Sequence, residues 1–185
     1  MTRIKSLVTT RHGSHLYGMA HAESDLDLYT VYTYYNKRYR PRKQVSRVID
    51  IESDQFRISL DKFKDYVLSG VPQACEALFA PEEAWTEHHQ DWFDIRDNIV
   101  TEMQGSLADI LETYRRTAIN FMRKDDFKKN RHAFRLVHNA RELKDSGAIN
   151  PRLSEGVVDN LTRLAELPYS FRTDEFKEQL FECFG

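Results

Sequence analysis

Cysteine is nearly absent: only Cys75 and Cys183 occur in 185 residues, far apart and without metal-ligand spacing. Unpaired thiols, at least one of them buried, are expected from that usage. No run approaches the roughly 18 apolar residues of a membrane-spanning helix. The first residues hold no apolar signal segment, which predicts a cytoplasmic protein. Neither sign of charge dominates: 27 Lys and Arg stand against 29 Asp and Glu, a formal net charge of -2. That balance argues against a generic nucleic-acid coat and leaves room for a local basic patch. Internal repeats, low-complexity segments and Cys/His or Ser/His/Asp nucleophile arrangements are also missing. What remains is 41% hydrophobic and 30% charged, the composition of a globular chain with one domain or two small ones.

The most informative stretch is Gly13-Ser14-His15-Leu16-Tyr17-Gly18, followed by Ser24-Asp25-Leu26-Asp27-Leu28-Tyr29. Leu26 to Tyr32 is rich in β-branched and aromatic residues and reads as a strand. Alternation puts Asp25, Asp27 and Tyr29 on one face and Leu26, Leu28 and Thr30 on the other, an acidic front with an apolar back. Two carboxylates side by side repel unless a divalent cation sits between them, and magnesium favours hard oxygen ligands together with substrate phosphates. Backbone N–H groups of the neighbouring Gly-Ser turn suit those phosphates. The combination points to metal-assisted nucleotide transfer.

This arrangement resembles the DNA polymerase β-type nucleotidyltransferase superfamily, whose signature is Gly-Ser, a short spacer, then Asp-x-Asp. More narrowly it is similar to the bacterial and phage nucleotidyltransferases linked to RNA repair, which carry a Gly-Ser-x-x-Tyr-Gly turn. Gly13 to Gly18 matches that turn, and Ser24 to Asp27 matches the acidic strand.

Further along, Lys37, Arg38, Arg40, Arg42, Lys43 and Arg47 form a basic run without an acid, beside Tyr34, Tyr35 and Tyr39. Single-stranded nucleic acid or a triphosphate would favour such a run, and a solvated hairpin loop explains it equally well. Residues 45–52 and 54–59 read as two strands or one interrupted strand. Asp50, Glu52 and Asp54 share parity, so alternation does not choose a third carboxylate among them. The resemblance does: Leu60-Asp61-Lys62-Phe63 matches a Leu-x-Lys-Phe helix start, and Asp54 falls where the family acid precedes it, with Asp50 the alternative. Ser59 is a candidate N-cap for that helix and Gly70 its stop. The segment Gly70 to Phe79, with Pro72 in a first helical turn, resembles a Gly-Asn-Pro segment leading to Leu-Glu, with Val71 and Cys75 as departures. Glu76 reads first as a helix-surface or structural acid. Trp85, Trp92 and Phe93 suggest packing on the first domain, and His88 and His89 read as surface residues.

From Ile99 to about Phe121 the pattern predicts a helix with Leu107, Ile110, Leu111 and Tyr114 on one face. A second has an apolar stripe of Ala133, Leu136, Val137, Ala140 and Leu143, flanked by a polar line of His132, Arg135, Asn139 and Glu142. It loosely resembles the family's Lys-x-Ala-x-x-x-x-Arg-Leu helix. Because the helical part covers the nucleotide in this superfamily, the resemblance makes His132 and Arg135 candidates for phosphate or acceptor contact, beside a solvated helix face. Short helices are expected over 151–185.

The resemblance implies an α+β fold: a small mixed, palm-like sheet with flanking helices over residues 1–98 and a helical region over 99–185. It implies two magnesium (or manganese) ions about 4 Å apart, held by Asp25, Asp27 and Asp54 or Asp50. Gly13, Ser14 and Tyr17, with Arg135 and His132, would serve the nucleotide. The expected reaction moves a nucleoside monophosphate from a triphosphate such as ATP to an acceptor hydroxyl and releases pyrophosphate. An RNA end, tRNA included, is the favoured acceptor; a protein or small-molecule hydroxyl, or a non-catalytic nucleotide- or RNA-binding role, is the alternative.

Overall fold

A computed structural model describes residues 4–34, 47–50, 55–123 and 126–185. The run from Lys37 to Lys43, Tyr35, Glu52 and Asp54 lie outside the described residues.

The first apolar segment is a strand, β1 (Ile4–Arg11), and the Gly-Ser turn opens a one-turn helix, α1 (Gly13–Tyr17). Then come β2 (Leu28–Tyr34), β3 (Arg47–Asp50), β4 (Gln55–Ser59), α2 (Leu60–Leu68), α3 (Pro72–Leu78) and, after a single 3-10 turn (Glu82–Ala84), β5 (Trp85–His88). Five helices complete the chain: α4 (Asp91–Gln104), α5 (Leu107–Met122), α6 (Phe127–Ser146), α7 (Glu155–Glu166) and α8 (Tyr169–Phe184). The sheet order is β3-β4-β2-β1-β5. It is mixed: β2 and β4 run parallel, with Leu28 opposite Gln55, and the other neighbours run antiparallel. An irregularity in β1 between Ser6 and Val8 lets the consecutive Leu7 and Val8 both be buried.

Two expectations about β2 need correction. Asp25 and Asp27 do not lie in the strand, which begins at Leu28; they belong to the segment leading into it. The apolar back is also misassigned. Leu26 is 48% exposed, whereas Tyr29 is buried against Phe56 and Phe63, with ring centroids 4.7 and 6.1 Å away. Helix α2 covers the face of Tyr29, and a Thr9–Thr30 hydroxyl pair at 3.1 Å lies within the sheet beside it.

Ser59 does occupy the N-cap of α2, with extended backbone angles, but its side chain makes no capping hydrogen bond. Gly70 follows α2 with φ +74°, and a Cβ there would lie 2.7 Å from the Ile110 Cα. The turn and the close approach of α5 therefore both require glycine. Pro72 sits at the start of α3 as expected. The helix read from Ile99 to Phe121 is two helices, interrupted at Gly105 and Ser106, both weak helix formers. Residue 98 lies within α4, and one core runs from Leu7 and Val8 of the sheet to Cys183 of α8. Ile110, Tyr114 and Ala118 of α5 and the expected stripe of α6 belong to it. Both cysteines are buried free thiols, and His88 and His89 are exposed. Among the described residues no helix is long and apolar enough to cross a membrane.

Candidate functional site

The Gly-Ser turn and the acidic segment meet at the start of β2. His12 is extended, and its backbone N–H donates to the Asp27 carbonyl at 2.9 Å, tying the end of β1 to the entry of β2. Gly13 then takes φ +60°, a left-handed conformation that other residues adopt at a cost. The Asp27 carboxylate packs so closely on Gly13 that an added Cβ would collide with Oδ2. Asp25 is exposed and Asp27 half-buried, so one carboxylate faces solvent and the other lies against the turn. Ser24 closes the preceding turn, accepting from the His21 N–H through Oγ at 2.9 Å.

At the other end of α1 the Tyr17 side chain enters a buried polar network. Its hydroxyl donates to Glu76 Oε2 at 2.6 Å. Glu76 Oε1 accepts from Asn139 Nδ2 at 3.0 Å and pairs with the Arg135 guanidinium. That guanidinium also lies over the Tyr17 ring, 3.8 Å from its centroid. Arg135 Nε donates to His132 Nδ1 at 3.2 Å. His12 Nε2 lies 3.4 Å from the Tyr17 hydroxyl. Because Tyr17 gives its one proton to Glu76, His12 is the donor in that contact.

These contacts fix charge states. Burial lowers the His12 pKa to about 4, with Glu76 opposing and Arg135 reinforcing the shift. Burial, then the charges of Arg135, Arg131 and Lys128, lower His132 to about 3. Both imidazoles are neutral at pH 7, which suits a His132 Nδ1 that accepts from Arg135. Burial opposes the Arg135 charge, but Glu76 and Tyr17 outweigh it and hold its pKa above the ordinary value. Burial raises the Tyr17 hydroxyl well above its usual range.

The polar line of α6 is therefore not a solvated face. Arg135 is 5% exposed and Asn139 fully buried, because α3 presents Glu76 to them. Glu76 itself is fully buried, which overturns its helix-surface reading and supports the structural one. The sequence signal for it was an acid inside the apolar run Ala74-Cys75-Glu76-Ala77-Leu78. His12, between the Tyr17 and Tyr29 rings, carried no signal of its own. Asp50 ends β3 in register with Gln55. Among the described residues no group of three His, Cys, Asp or Glu could hold a metal ion.

A profile described as the RNA repair pathway DNA polymerase beta family matches residues 2–172. The chain belongs to this family. The match covers the sheet, the Gly-Ser turn, Asp25 and Asp27, and α6, so membership extends through the helical half as far as the start of α8. No curated protein and no solved structure matches the chain. The DNA polymerase beta assignment supports nucleotidyltransferase chemistry, and the family description connects it with RNA repair.

Proposed function

We propose that the protein is a divalent-metal-dependent nucleotidyltransferase that moves a nucleoside monophosphate from a triphosphate to an RNA hydroxyl. One observation carries the reading: the Asp27 carboxylate is packed onto Gly13 of the Gly-Ser turn, with the exposed Asp25 two residues before it. An acid pair and a phosphate-binding turn are then parts of one surface.

The donor set suits a hard cation: Asp25 and Asp27 supply carboxylate oxygens with no soft ligand among them. They would hold magnesium or manganese, which when bound neutralises triphosphate charge and lowers the pKa of an acceptor hydroxyl. Asp54 is the preferred third carboxylate. That preference rests on the motif resemblance, in which an acid precedes the Leu60-Asp61-Lys62-Phe63 helix start, with Asp50 the alternative. Gly13 and Ser14 would receive the β- and γ-phosphates through backbone N–H groups and the Ser14 hydroxyl.

The start of α6 supports RNA as acceptor. Lys128 and Lys129 are exposed, as is Arg123 at the end of α5, and Phe127 is 44% exposed with the Arg131 guanidinium 5.5 Å from its ring centroid. Cations interleaved with an exposed ring suit a single strand, by charge attraction and stacking. The test is transfer from each α-labelled nucleoside triphosphate, with magnesium or manganese, to total RNA and protein. An Asp25→Asn/Asp27→Asn variant runs in parallel. Label on RNA with wild type alone is expected. Label confined to protein would replace the acceptor, and equal labelling by the variant would remove the acid pair from the chemistry.

A further inference from the structure

We propose that Tyr17, Glu76 and Arg135 form a positioning clamp that seats the Gly13–Ser14 turn against Asp27 and sets triphosphate affinity without touching the nucleotide. This deepens the proposed function and rests on its assignment of the turn to phosphate binding.

The clamp is defined by three elements converging on one side chain. Helix α1 is a five-residue helix, too short to be stable by itself. Its last residue, Tyr17, is held three ways: the hydroxyl donates to Glu76 of α3, the ring is covered by Arg135 of α6, and the backbone carbonyl accepts from the Leu153 N–H at 3.4 Å. Gly13 lies four residues earlier, about 6 Å along a helix axis. It meets Asp27 with no space for even a methyl group. A displacement of Tyr17 therefore moves the turn relative to the carboxylate. His12 reinforces the path, because its ring touches both Tyr17 and Tyr29 while its backbone bonds to Asp27.

Burial decides that these residues act through α1. Glu76 is inaccessible and Arg135 is 5% exposed, so neither reaches a bound nucleotide in this arrangement. A buried ion pair is also a poor means of adding stability, since an apolar pair of similar volume does as well or better. What the pair supplies is direction. The Glu76 carboxylate accepts from three donors on two helices, and the planar Arg135 fork joins Glu76, His132 and the Tyr17 face at once. Lysine offers neither the fork nor the stacking plane.

Tyr17→Phe and Arg135→Lys test the clamp. The first keeps the ring and removes only the hydroxyl; the second keeps the charge. Two readouts are combined: the Kd of magnesium-ATP, and amide hydrogen exchange over residues 12–18 compared with α3 and α6. The clamp predicts at least tenfold weaker magnesium-ATP binding in both variants, with faster exchange concentrated in 12–18. Wild-type affinity and wild-type exchange at 12–18 would overturn it while leaving the transferase reading intact. Exchange rising equally through α3 and α6 would also overturn it, since the network would then be purely structural. If wild type binds no magnesium-ATP but exchange at 12–18 still rises selectively, the seating of the turn stands and the nucleotide reading fails. Should Arg135→Lys not fold, Glu76→Gln, which keeps shape and loses charge, takes its place under the same criteria.

Discussion

Gly13→Ala is the most revealing single substitution. Two costs follow from the structure. Gly13 sits at φ +60°, where an L-residue loses about 1–2 kcal/mol. The new methyl would collide with Asp27 Oδ2, and its other near neighbours are Asp27 Cγ at 3.1 Å and Cβ at 3.5 Å. Relief requires the carboxylate to leave its rotamer, at about 0.5–1.5 kcal/mol, or the turn to shift. The expected destabilisation is thus about 2–3 kcal/mol, read as a lower urea midpoint at unchanged slope. Activity should fall much further, because a displacement near 1 Å at a positioned reacting group can cost about 100-fold. Gly147→Ala is the matched control: its φ is +74°, and its new methyl would meet only the flexible Gln104 side chain, at 3.1 Å. It should lose comparable stability and keep transfer. Transfer by Gly13→Ala within threefold of wild type, or an equal loss in Gly147→Ala, would show that the contact between Gly13 and Asp27 does not position the reacting groups.

Other substitutions and conditions probe the buried ion pair, the two neutral imidazoles and the basic corner at the start of α6. Glu76→Ala leaves a buried arginine unpaired and should cost about 3–5 kcal/mol in denaturant titration, whereas Glu76→Leu/Arg135→Met should be less damaging. A loss under 1 kcal/mol for Glu76→Ala would contradict the burial of the pair. For His12 and His132, folded pKa values of about 4 and about 3 lie below the unfolded value of about 6.5. The unfolded chain therefore binds more protons between those limits. Stability is full above pH 6.5 and declines as pH falls toward 4 and then 3. Urea midpoints between pH 7 and 4.5 should drop more steeply for wild type than for His132→Gln; parallel curves would contradict the neutral, desolvated imidazole. Lys128→Gln/Arg131→Gln should weaken binding of a single-stranded RNA oligonucleotide. The slope of log K against log salt should become shallower by about 1.4, at roughly 0.7 per lost phosphate contact. An unchanged slope would remove this corner from the RNA path.

The main elements of the sheet could be read from the sequence because β-branched and aromatic runs announce strands, and the Gly-Ser and Asp-x-Asp motifs are local. Gly13 and Asp27 were recognisable for that reason, although the strand began one residue after Asp27 rather than at Leu26. The interruption at Gly105 and Ser106 was obscured because apolar spacing continues across it. The helix-surface alternative for Glu76 and the solvated-face alternative for Arg135 failed for a different reason. Charged residues on a helix usually face water, and only the meeting of α3 with α6, 59 residues apart in sequence, turns these two inward. Pairing across such a distance leaves no periodic trace.

In the proposed function, Asp25 and Asp27 hold the metal of a nucleotidyltransferase beside the Gly13–Ser14 turn. The most direct measurement is anomalous diffraction from crystals soaked with manganese and a non-hydrolysable nucleoside triphosphate. Manganese is expected within about 2 Å of carboxylate oxygens of both Asp25 and Asp27, with the β- and γ-phosphates against Gly13 and Ser14. Manganese bound to other carboxylates, or a triphosphate seated away from the turn, would contradict it.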